Sequence, residues 1–263
     1  MKKDLSNRAY IVTGGASGIG LATVRAIIDL GGFALAVDLQ EESLKKVADM
    51  FSDQAAQFGS LALDVTKPDS DQQMVDAAIN RFGRIDGLVA CAGRIKVRPL
   101  QEVTRADWEA ILSLNLTSVF FYARATAEAI KKAGHAGSIV TISSTSAHGA
   151  RPNNPDYGVS KIGIDHITRT LALEYASSQI RVNAVSPGVV ETSMWHTVEK
   201  ERGSVLGLAP GELTARMCQA TPLGRTGSAE EIASVITFLL SDDASFVTGQ
   251  IVEADGGFKL ANP

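Results

Sequence analysis

Short segments rich in apolar and β-branched residues alternate with longer segments of helical period along almost the whole chain. This alternation is the βαβ pattern, and strands that are apolar throughout are typical of a parallel sheet covered on both faces. The expected strands are AYIVTG (9–14), FALAVD (33–38), SLALDV (60–65), DGLVACAG (86–93), GSIVTISS (137–144), IRVNAVSPG (180–188) and QIVEADGG (250–257). The pattern therefore predicts an α/β fold with a doubly wound, mostly parallel, seven-stranded sheet flanked by helices.

The helical segments fit between these strands without any linker, repeat or low-complexity tract that would divide the chain. Helices are expected at about 19–30, 41–51, 69–82, 105–133, 156–177 and 229–240. We therefore predict a single domain over residues 1–263. Residues 190–227 differ from the rest because they are rich in small and polar residues, and an insertion near strand ends usually shapes a substrate site.

Composition excludes several classes of partner. The chain has a net charge of −4 and no long basic run, so neither nucleic acid nor an anionic membrane surface is expected as a partner. The first ten residues lack the apolar core of a signal peptide, and no apolar run is long enough to span a bilayer, which predicts a soluble, cytoplasmic protein. Small molecules are the expected partners.

Metal and hydrolase chemistry have no support in the motifs. Cys91 and Cys218 lack zinc spacing, and the four histidines show no HExxH pattern, so no metal site is predicted. The sequence has no GxSxG elbow of a serine hydrolase.

A glycine-rich segment, TGGASGIG (13–20), joins the first strand to the first helix. Gly14, Gly18 and Gly20 follow GxxxGxG spacing, which departs from the commoner GxGxxG fingerprint of dinucleotide-binding proteins. Glycine permits a tight turn and close backbone approach, and a helix N-terminus presents N–H groups to a pyrophosphate. In this strand-turn-helix setting we expect a phosphate-binding loop, the alternative being a crowded structural turn.

Asp38 closes the second strand, 18 residues after Gly20. A carboxylate at about this distance accepts hydrogen bonds from the adenosine ribose hydroxyls and repels a 2′-phosphate. No arginine lies beside Asp38, and Ser17 rather than a basic residue precedes Gly18. The sequence thus favours NAD over NADP. The alternative is that Asp38 caps the next helix or ends the strand.

The stretch PDYGVSK (155–161) places Tyr157 and Lys161 four residues apart, on one face of an expected helix. A phenol has a pKa of about 10 and is a weak base at neutral pH unless a neighbouring cation favours its ionised form. Ser144 lies 13 residues earlier, at the end of the fifth strand, where open α/β sheets bind ligands. Asn115 interrupts an apolar run, where an amide is costly unless it is hydrogen-bonded in a structural or functional role.

These features, with the later SPG at 186–188, resemble the single-domain branch of the short-chain dehydrogenase/reductase family in order and spacing. The resemblance covers essentially the whole chain. It implies a Rossmann fold that binds NAD(P), Tyr157 as general acid/base, and Lys161 as the group that lowers the pKa of Tyr157 and binds the nicotinamide ribose. It also implies that Ser144 orients the substrate oxygen and that Asn115 positions a water that passes protons to Lys161.

The predicted cofactor-binding residues follow from the loop and from the resemblance. They are Gly14, Ser17, Gly18, Ile19, Gly20, Asp38, Leu39, Asp64, Val65, Ala92, Gly93, Tyr157, Lys161, Pro187, Gly188, Val190 and Thr192. One motif departs from the family: Cys91 stands where an asparagine is usual, and we expect altered local hydrogen bonding rather than lost activity.

Two segments should flank the cleft, and Arg94, Ser146 and Arg151 within them are candidates for contact with the substrate. The first is GRIKVRP (93–99), with Arg94, Lys96 and Arg98, and the second contains Ser146 and Arg151. Trp195 is a further candidate, as a lid residue. An anionic or highly hydroxylated substrate, such as a hydroxy acid, sugar or polyol, is one hypothesis, and basic residues that are merely solvated on loops are the alternative.

The leading hypothesis is an NAD-dependent oxidoreductase that interconverts a secondary alcohol and a ketone. A 3-oxoacyl-carrier-protein reductase is the alternative within the family, although biosynthetic reduction normally uses NADPH. A noncatalytic NAD-sensing protein is the alternative from another class, and it should tolerate loss of the chemical residues. The resemblance also implies a homotetramer built through the helices at 105–133 and 156–177.

Overall fold

The protein folds around one sheet of seven parallel strands, as seen in a computed structural model that describes residues 4–261. The strand order is β3-β2-β1-β4-β5-β6-β7, and every neighbouring pair is parallel. The strands are β1 (Ala9–Thr13), β2 (Phe33–Asp38), β3 (Phe58–Ala62), β4 (Gly87–Ala90), β5 (Gly137–Ile142), β6 (Ile180–Pro187) and β7 (Ile251–Ala254). The predicted α/β fold class is confirmed.

Ten α-helices connect or follow the strands in the described part of the chain. They are α1 (Gly18–Asp29), α2 (Glu41–Met50), α3 (Ser70–Phe82), α4 (Arg105–Leu112), α5 (Ser118–Ala133), α6 (Pro155–Tyr175), α7 (Ser193–Leu206), α8 (Glu212–Ala220), α9 (Ala229–Leu240) and α10 (Phe258–Ala261). Within residues 4–261, no helix is both long enough and apolar enough to span a bilayer.

The apolar core lies in two layers, one on each face of the sheet. Successive strand residues point to opposite faces, so Ile11 packs in the layer under α3, α5 and α6, whereas Val12 packs in the layer under α1, α2 and α9. The strands are buried on both faces, so each face of the sheet is covered by its own layer of helices. This accounts for the continuous apolar runs that the sequence shows.

The strand order reverses at β1, which lies between β2 and β4. The chain builds β2 and β3 to one side of β1 and then crosses to build β4 to β7 on the other. In sheets of this kind, ligands bind outside the carboxyl ends of the strands at the reversal point. The loops after β1, β4, β5 and β6 therefore define the expected site.

Several element boundaries differ from the sequence-based expectation. β3 ends at Ala62 and β4 at Ala90, so Asp64, Val65 and residues 91–93 follow strands rather than lie in them. The helix expected over 105–133 is divided by a π-helical turn at Ser113–Thr117. Residues 190–227 contain the helices α7 and α8, which small and polar composition did not indicate.

Candidate active site

A cavity of about 940 Å³ opens at the carboxyl ends of the strands, at the reversal point. This volume is at the upper end of the range for ligand pockets. All the predicted cofactor-binding residues line it, and so do Ser144 and the four predicted substrate residues, Arg94, Ser146, Arg151 and Trp195. Asn115 is the one predicted site residue that does not.

The glycine-rich loop forms the floor of one end of the cavity. Gly14 and Gly18 have φ of +66° and +51°, the left-handed region that favours glycine. A Cβ on Gly20 would lie 2.1 Å from the Gly14 carbonyl oxygen, so the loop closes this tightly only with glycine at position 20.

The first turn of α1 faces the same end of the cavity. It begins at Gly18 and contains no acidic residue, and the Ser17 side chain makes no capping hydrogen bond to it. The N–H groups and the positive potential of this helix end are therefore available to an anion. These features fit the pyrophosphate of a dinucleotide.

Asp38 lies against the glycine-rich loop, at the end of β2. Its two carboxylate oxygens accept hydrogen bonds from the backbone N–H groups of Ala16, at 3.2 Å, and Gln40, at 3.1 Å. These bonds hold the carboxylate at the cavity wall. Each oxygen keeps a further lone pair that can accept a bond from a ribose hydroxyl.

Asp64 and Val65 line the cavity from the turn that follows β3. The Asp64 carboxylate accepts hydrogen bonds from the hydroxyl and the backbone N–H of Thr66, at 2.6 and 3.0 Å, and these bonds lower its pKa. Asp64 is thus fixed as an ionised turn residue, and Val65 offers an apolar surface beside it.

Tyr157 and Lys161 occupy the first two turns of α6, which begins at Pro155. Lys161 is buried, and its ammonium donates a hydrogen bond of 2.7 Å to the carbonyl of Ile142, at the end of β5. The same ammonium lies 5.5 Å from the centroid of the Tyr157 ring. The helix and the strand thereby hold the phenol and the ammonium side by side in the cavity wall.

The pKa values of this pair are set mainly by burial. Burial raises the pKa of Tyr157, while a hydrogen bond from the Ser144 side chain and the charge of Arg202 act in the opposite direction. Burial also lowers the pKa of Lys161 to about 8. The groups that favour the Tyr157 phenolate here are Ser144 and Arg202, so the expected effect of Lys161 on that pKa stays a prediction.

Asn115 lies in the π-helical turn, fully buried behind the cavity. Its amide oxygen accepts from the Arg94 N–H at 3.0 Å, and its amide nitrogen donates to the Arg94 carbonyl at 2.9 Å and to the Ser160 hydroxyl at 3.3 Å. These bonds satisfy the buried amide. They also join the loop after β4 to α6, which carries Tyr157.

The basic loop at 93–99 does not act as one charged surface. Lys96 pairs with Asp107 at 2.9 Å, and Arg98 is buried and pairs at 2.7 Å with the fully buried Asp156 in the first turn of α6. Only Arg94 of the three basic residues lines the cavity. The Lys96 ammonium and the Arg98 guanidinium thus already have carboxylate partners, so the positive charge that this loop offers to the cavity is that of Arg94.

The comparisons with known proteins agree with this geometry. A family model described as enoyl-(acyl carrier protein) reductase matches residues 14–259. The fold is also similar to that of a putative short-chain alcohol dehydrogenase from Sinorhizobium meliloti, with a TM-score of 0.89, 33% identity and coverage of 98% of each chain. The chain belongs to the short-chain dehydrogenase/reductase family.

Two curated relatives illustrate the range of this oxidoreductase family. The 3-oxoacyl-acyl-carrier-protein reductase FabG of Thermotoga maritima is 35% identical over 257 residues, which is 97% of this chain and 99% of the relative. The cis-4-hydroxycyclohexanecarboxylate dehydrogenase of Sinomonas cyclohexanicum is 36% identical over 259 residues, 98% of this chain and 99% of the relative. Members of the short-chain dehydrogenase/reductase family use NAD(P) as cofactor.

The cysteine that departs from the short-chain dehydrogenase/reductase pattern lies directly after β4. Burial raises the pKa of the Cys91 thiol to about 12, although the charge of Lys161 lowers it, so the thiol is protonated at neutral pH and is a poor nucleophile. The neighbouring Ala92 N–H donates to the Thr13 hydroxyl at 3.1 Å. That bond links the loop after β4 to β1 without an asparagine at position 91.

Helices α7 and α8 contribute to the cavity wall of this short-chain dehydrogenase/reductase. The Trp195 indole N–H donates to the Thr214 hydroxyl at 2.9 Å, and Val97, Val198 and Leu213 form a small apolar cluster apart from the main core. This cluster joins α7 and α8 to the loop after β4. The segment 190–227 is thus a packed cover whose inner surface lines the cavity.

Sequence reasoning missed Arg202, on α7, which lines the cavity on the Tyr157 side. A usable signal was present: Trp195, Val198 and Arg202 are spaced by three and four residues, so they share one helix face. It was overlooked because the segment was not expected to be helical. Met194 and Met217 are further cavity residues without a recognised motif.

Proposed function

We propose that this chain is an NAD-dependent oxidoreductase that interconverts a secondary alcohol and a ketone, with Tyr157 as general acid/base. One observation carries the proposal. A phenol, a buried ammonium and a serine hydroxyl meet in the wall of a cavity whose far end has a glycine-rich helix N-terminus and the carboxylate of Asp38. That combination suits a nicotinamide dinucleotide beside an oxygen that gains or loses a proton.

Bound NAD would supply the hydride acceptor for alcohol oxidation and, in reduced form, the donor for ketone reduction. The glycine-rich loop and the first turn of α1 would hold its pyrophosphate, and Asp38 its adenosine ribose. In oxidation, the Tyr157 phenolate takes the proton of the alcohol O–H as the carbon loses hydride. Ser144 donates a hydrogen bond to the substrate oxygen, and Lys161 holds the nicotinamide ribose and supports the phenolate electrostatically.

Asn115 is proposed as a positioning residue. Its hydrogen bonds to Arg94 and Ser160 fix the π-helical turn against α6, at the residue directly before Lys161. The water-mediated proton path that the family resemblance implies for Asn115 remains part of this proposal.

A substrate screen tests the proposed function directly. Secondary alcohols, sugars, polyols and hydroxy acids are incubated with NAD, and NADH formation is followed by absorbance. We expect turnover of at least one class and reversal with the matching ketone and NADH. The proposal fails if the protein binds NADH but converts none of these compounds in either direction.

Replacement of Asp38 by Ala is expected to lower the preference for NAD over NADP by roughly 10- to 100-fold. A hydrogen bond to a charged acceptor contributes about 1.5–3 kcal/mol, and the variant loses that bond to the ribose as well as the repulsion of a 2′-phosphate. The measurement is the ratio of kcat/KM for NADH and NADPH. Asp49→Ala, which removes an exposed carboxylate from α2, serves as the control and should keep the ratio. A wild-type preference for NADPH would contradict the assignment.

A 3-oxoacyl-carrier-protein reductase is the second candidate, and the similarity to the Thermotoga enzyme favours it. It predicts reduction of a 3-oxoacyl thioester with NADPH. The Sinomonas relative is named as the dehydrogenase of a hydroxy acid instead, which agrees with oxidation of an alcohol. Activity on an acetoacetyl thioester with NADPH, and none on free alcohols with NAD, would favour the second candidate.

We also propose a cytoplasmic homotetramer. Exposed apolar side chains on α5 and α6, Phe121, Val159, Ile162 and Leu173, offer faces that a second copy would cover. Light scattering of the purified protein is expected to give four times the mass of one chain. Leu173→Glu, at a position that is 82% exposed, should reduce the assembly without unfolding the chain, whereas an unchanged monomeric mass for both proteins would refute the proposal.

A further inference from the structure

The charges that line the cavity are separated by sign. Within the described part of the chain, the carboxylates on the wall are Asp38 and Asp64, both at the end assigned to adenosine. Arg94, Arg151 and Arg202 also line it, but they follow β4, β5 and β6, which lie on the opposite side of β1 from β2 and β3. The chain as a whole has a net charge of −4, so this local excess of positive charge does not follow from composition.

Arg202 has no acidic partner among the residues that the structure describes, although it is partly buried. The two nearest glutamates on α7 are engaged elsewhere. Glu201 accepts from the Val97 N–H at 2.8 Å, and Glu199 accepts from the N–H groups of Gly211 and Thr214. Arg202 therefore differs from Arg98, whose guanidinium is neutralised by Asp156.

Arg151 is the second cation on this side of the cavity. Its guanidinium lies 5.2 Å from the centroid of the Phe258 ring, and it makes no salt bridge with a carboxylate of residues 4–261. Burial lowers the pKa of both arginines, and the charge of Arg151 lowers that of Arg202 further. Two partly desolvated like charges disfavour each other, and a bound anion relieves that cost.

The loop after β4 and the helices α7 and α8 also contribute apolar side chains to the cavity wall. These side chains are Ile95, Met194, Trp195, Val198 and Met217. Such walls favour a carbon ring or chain over the hydroxyls of a sugar or polyol, which would lose hydrogen bonds to water there.

We propose that Arg202, with Arg151, binds the carboxylate of the substrate, so that the enzyme acts on hydroxy acids with an apolar carbon skeleton. This inference rests on the proposed function, because it places the secondary hydroxyl at Tyr157 and the carboxylate at the guanidinium groups. A planar guanidinium can donate two parallel hydrogen bonds to a carboxylate, which suits orientation as well as affinity.

The test uses cyclic and straight-chain hydroxy acids, each paired with its neutral carboxamide, and compares wild type with Arg202→Gln. We expect wild type to prefer the acid in kcat/KM, and the acid/amide ratio to fall by roughly 10- to 100-fold in Arg202→Gln. Arg202→Lys should restore part of the ratio, since it keeps the charge but not the paired donors. Equal turnover of acid and amide by wild type, or an unchanged ratio in Arg202→Gln, would overturn the inference.

Lys200→Gln is the matched control, because it removes the same charge from an exposed position of α7. It should keep the acid/amide ratio of wild type. Thermal denaturation of each variant establishes whether it is folded. If Arg202→Gln does not fold, the acid/amide ratio of Arg202→Lys tests the inference instead.

A binding measurement separates failure of this inference from failure of the proposed function. Calorimetry compares cyclohexanecarboxylate, which has no hydroxyl to oxidise, with cyclohexanecarboxamide on wild type loaded with NADH. Carboxylate binding that Arg202→Gln weakens would support the anion site even if no alcohol were converted. Conversion of neutral alcohols without any preference for substrates that carry a carboxylate would refute the inference and leave the proposed function intact.

Discussion

Tyr157→Phe is expected to lower kcat for NAD-linked alcohol oxidation by about 10²- to 10⁴-fold, the contribution typical of a positioned general acid or base. The change removes one hydroxyl and keeps the ring that lies beside Lys161. NADH affinity should therefore change little. The measurements are steady-state kinetics with the best substrate from the screen and NADH binding by fluorescence.

Tyr175→Phe is the matched control for this variant. Tyr175 lies near the end of the same helix, and its hydroxyl bonds the Glu128 carboxylate at 2.8 Å, away from the cavity. It should keep wild-type kcat. Turnover by Tyr157→Phe at the wild-type rate would refute the mechanism, whereas loss of NADH binding together with kcat would point to a structural role for the phenol.

Lys161→Met is expected to lower kcat by at least about 10²-fold and, at pH 7, to raise the free energy of unfolding. Burial lowers the pKa of Lys161 from 10.5 to about 8, so the folded protein holds a charged ammonium at pH 7 against a cost on the order of 3 kcal/mol. The variant loses the hydrogen bond to the Ile142 carbonyl, which contributes about 1 kcal/mol. The desolvation cost is the larger effect, so the variant gains stability.

The pH dependence gives this prediction a definite sign. Between pH 8 and 10.5 the unfolded chain binds a proton at Lys161 that the folded chain has released, so the stability of wild type rises with pH in this interval. Lys161→Met lacks that rise. Urea denaturation at pH 7 to 10, without cofactor, should show the advantage of the variant shrinking as pH increases. A variant that is less stable at pH 7, or a difference independent of pH, would contradict the assignment.

Local chemistry explains why much of the fold and site was predictable. The apolar strands and the glycine-rich loop are each determined by residues that lie close together in the sequence. Tyr157 and Lys161 are likewise separated by only one helical turn. The π-helical turn was not predictable, because the helical period continues through Asn115 and the distortion accompanies hydrogen bonds to Arg94 and Ser160. Those partners are distant in sequence.

The roles of the individual arginines could not be predicted from the local sequence pattern either. Arg94 and Arg98 lie four residues apart on one loop, yet one lines the cavity and the other is buried against Asp156, 58 residues later. Arg202 was missed because its place depends on how α7 packs over the loop after β4. Charge along a sequence indicates possible partners, but only tertiary packing decides which charges are neutralised.

The ion pair between Arg98 and Asp156 limits how this protein can be re-engineered or can diverge. A graft of the 93–99 loop from a relative would alter the substrate end, but loss of Arg98 would leave the fully buried Asp156 uncompensated in the helix that carries Tyr157. Breaking a buried pair in this way costs about 3–5 kcal/mol. Chimeras that exchange the loop and residue 156 together should fold where single exchanges fail, so substrate range and the catalytic helix are expected to change as a coupled unit.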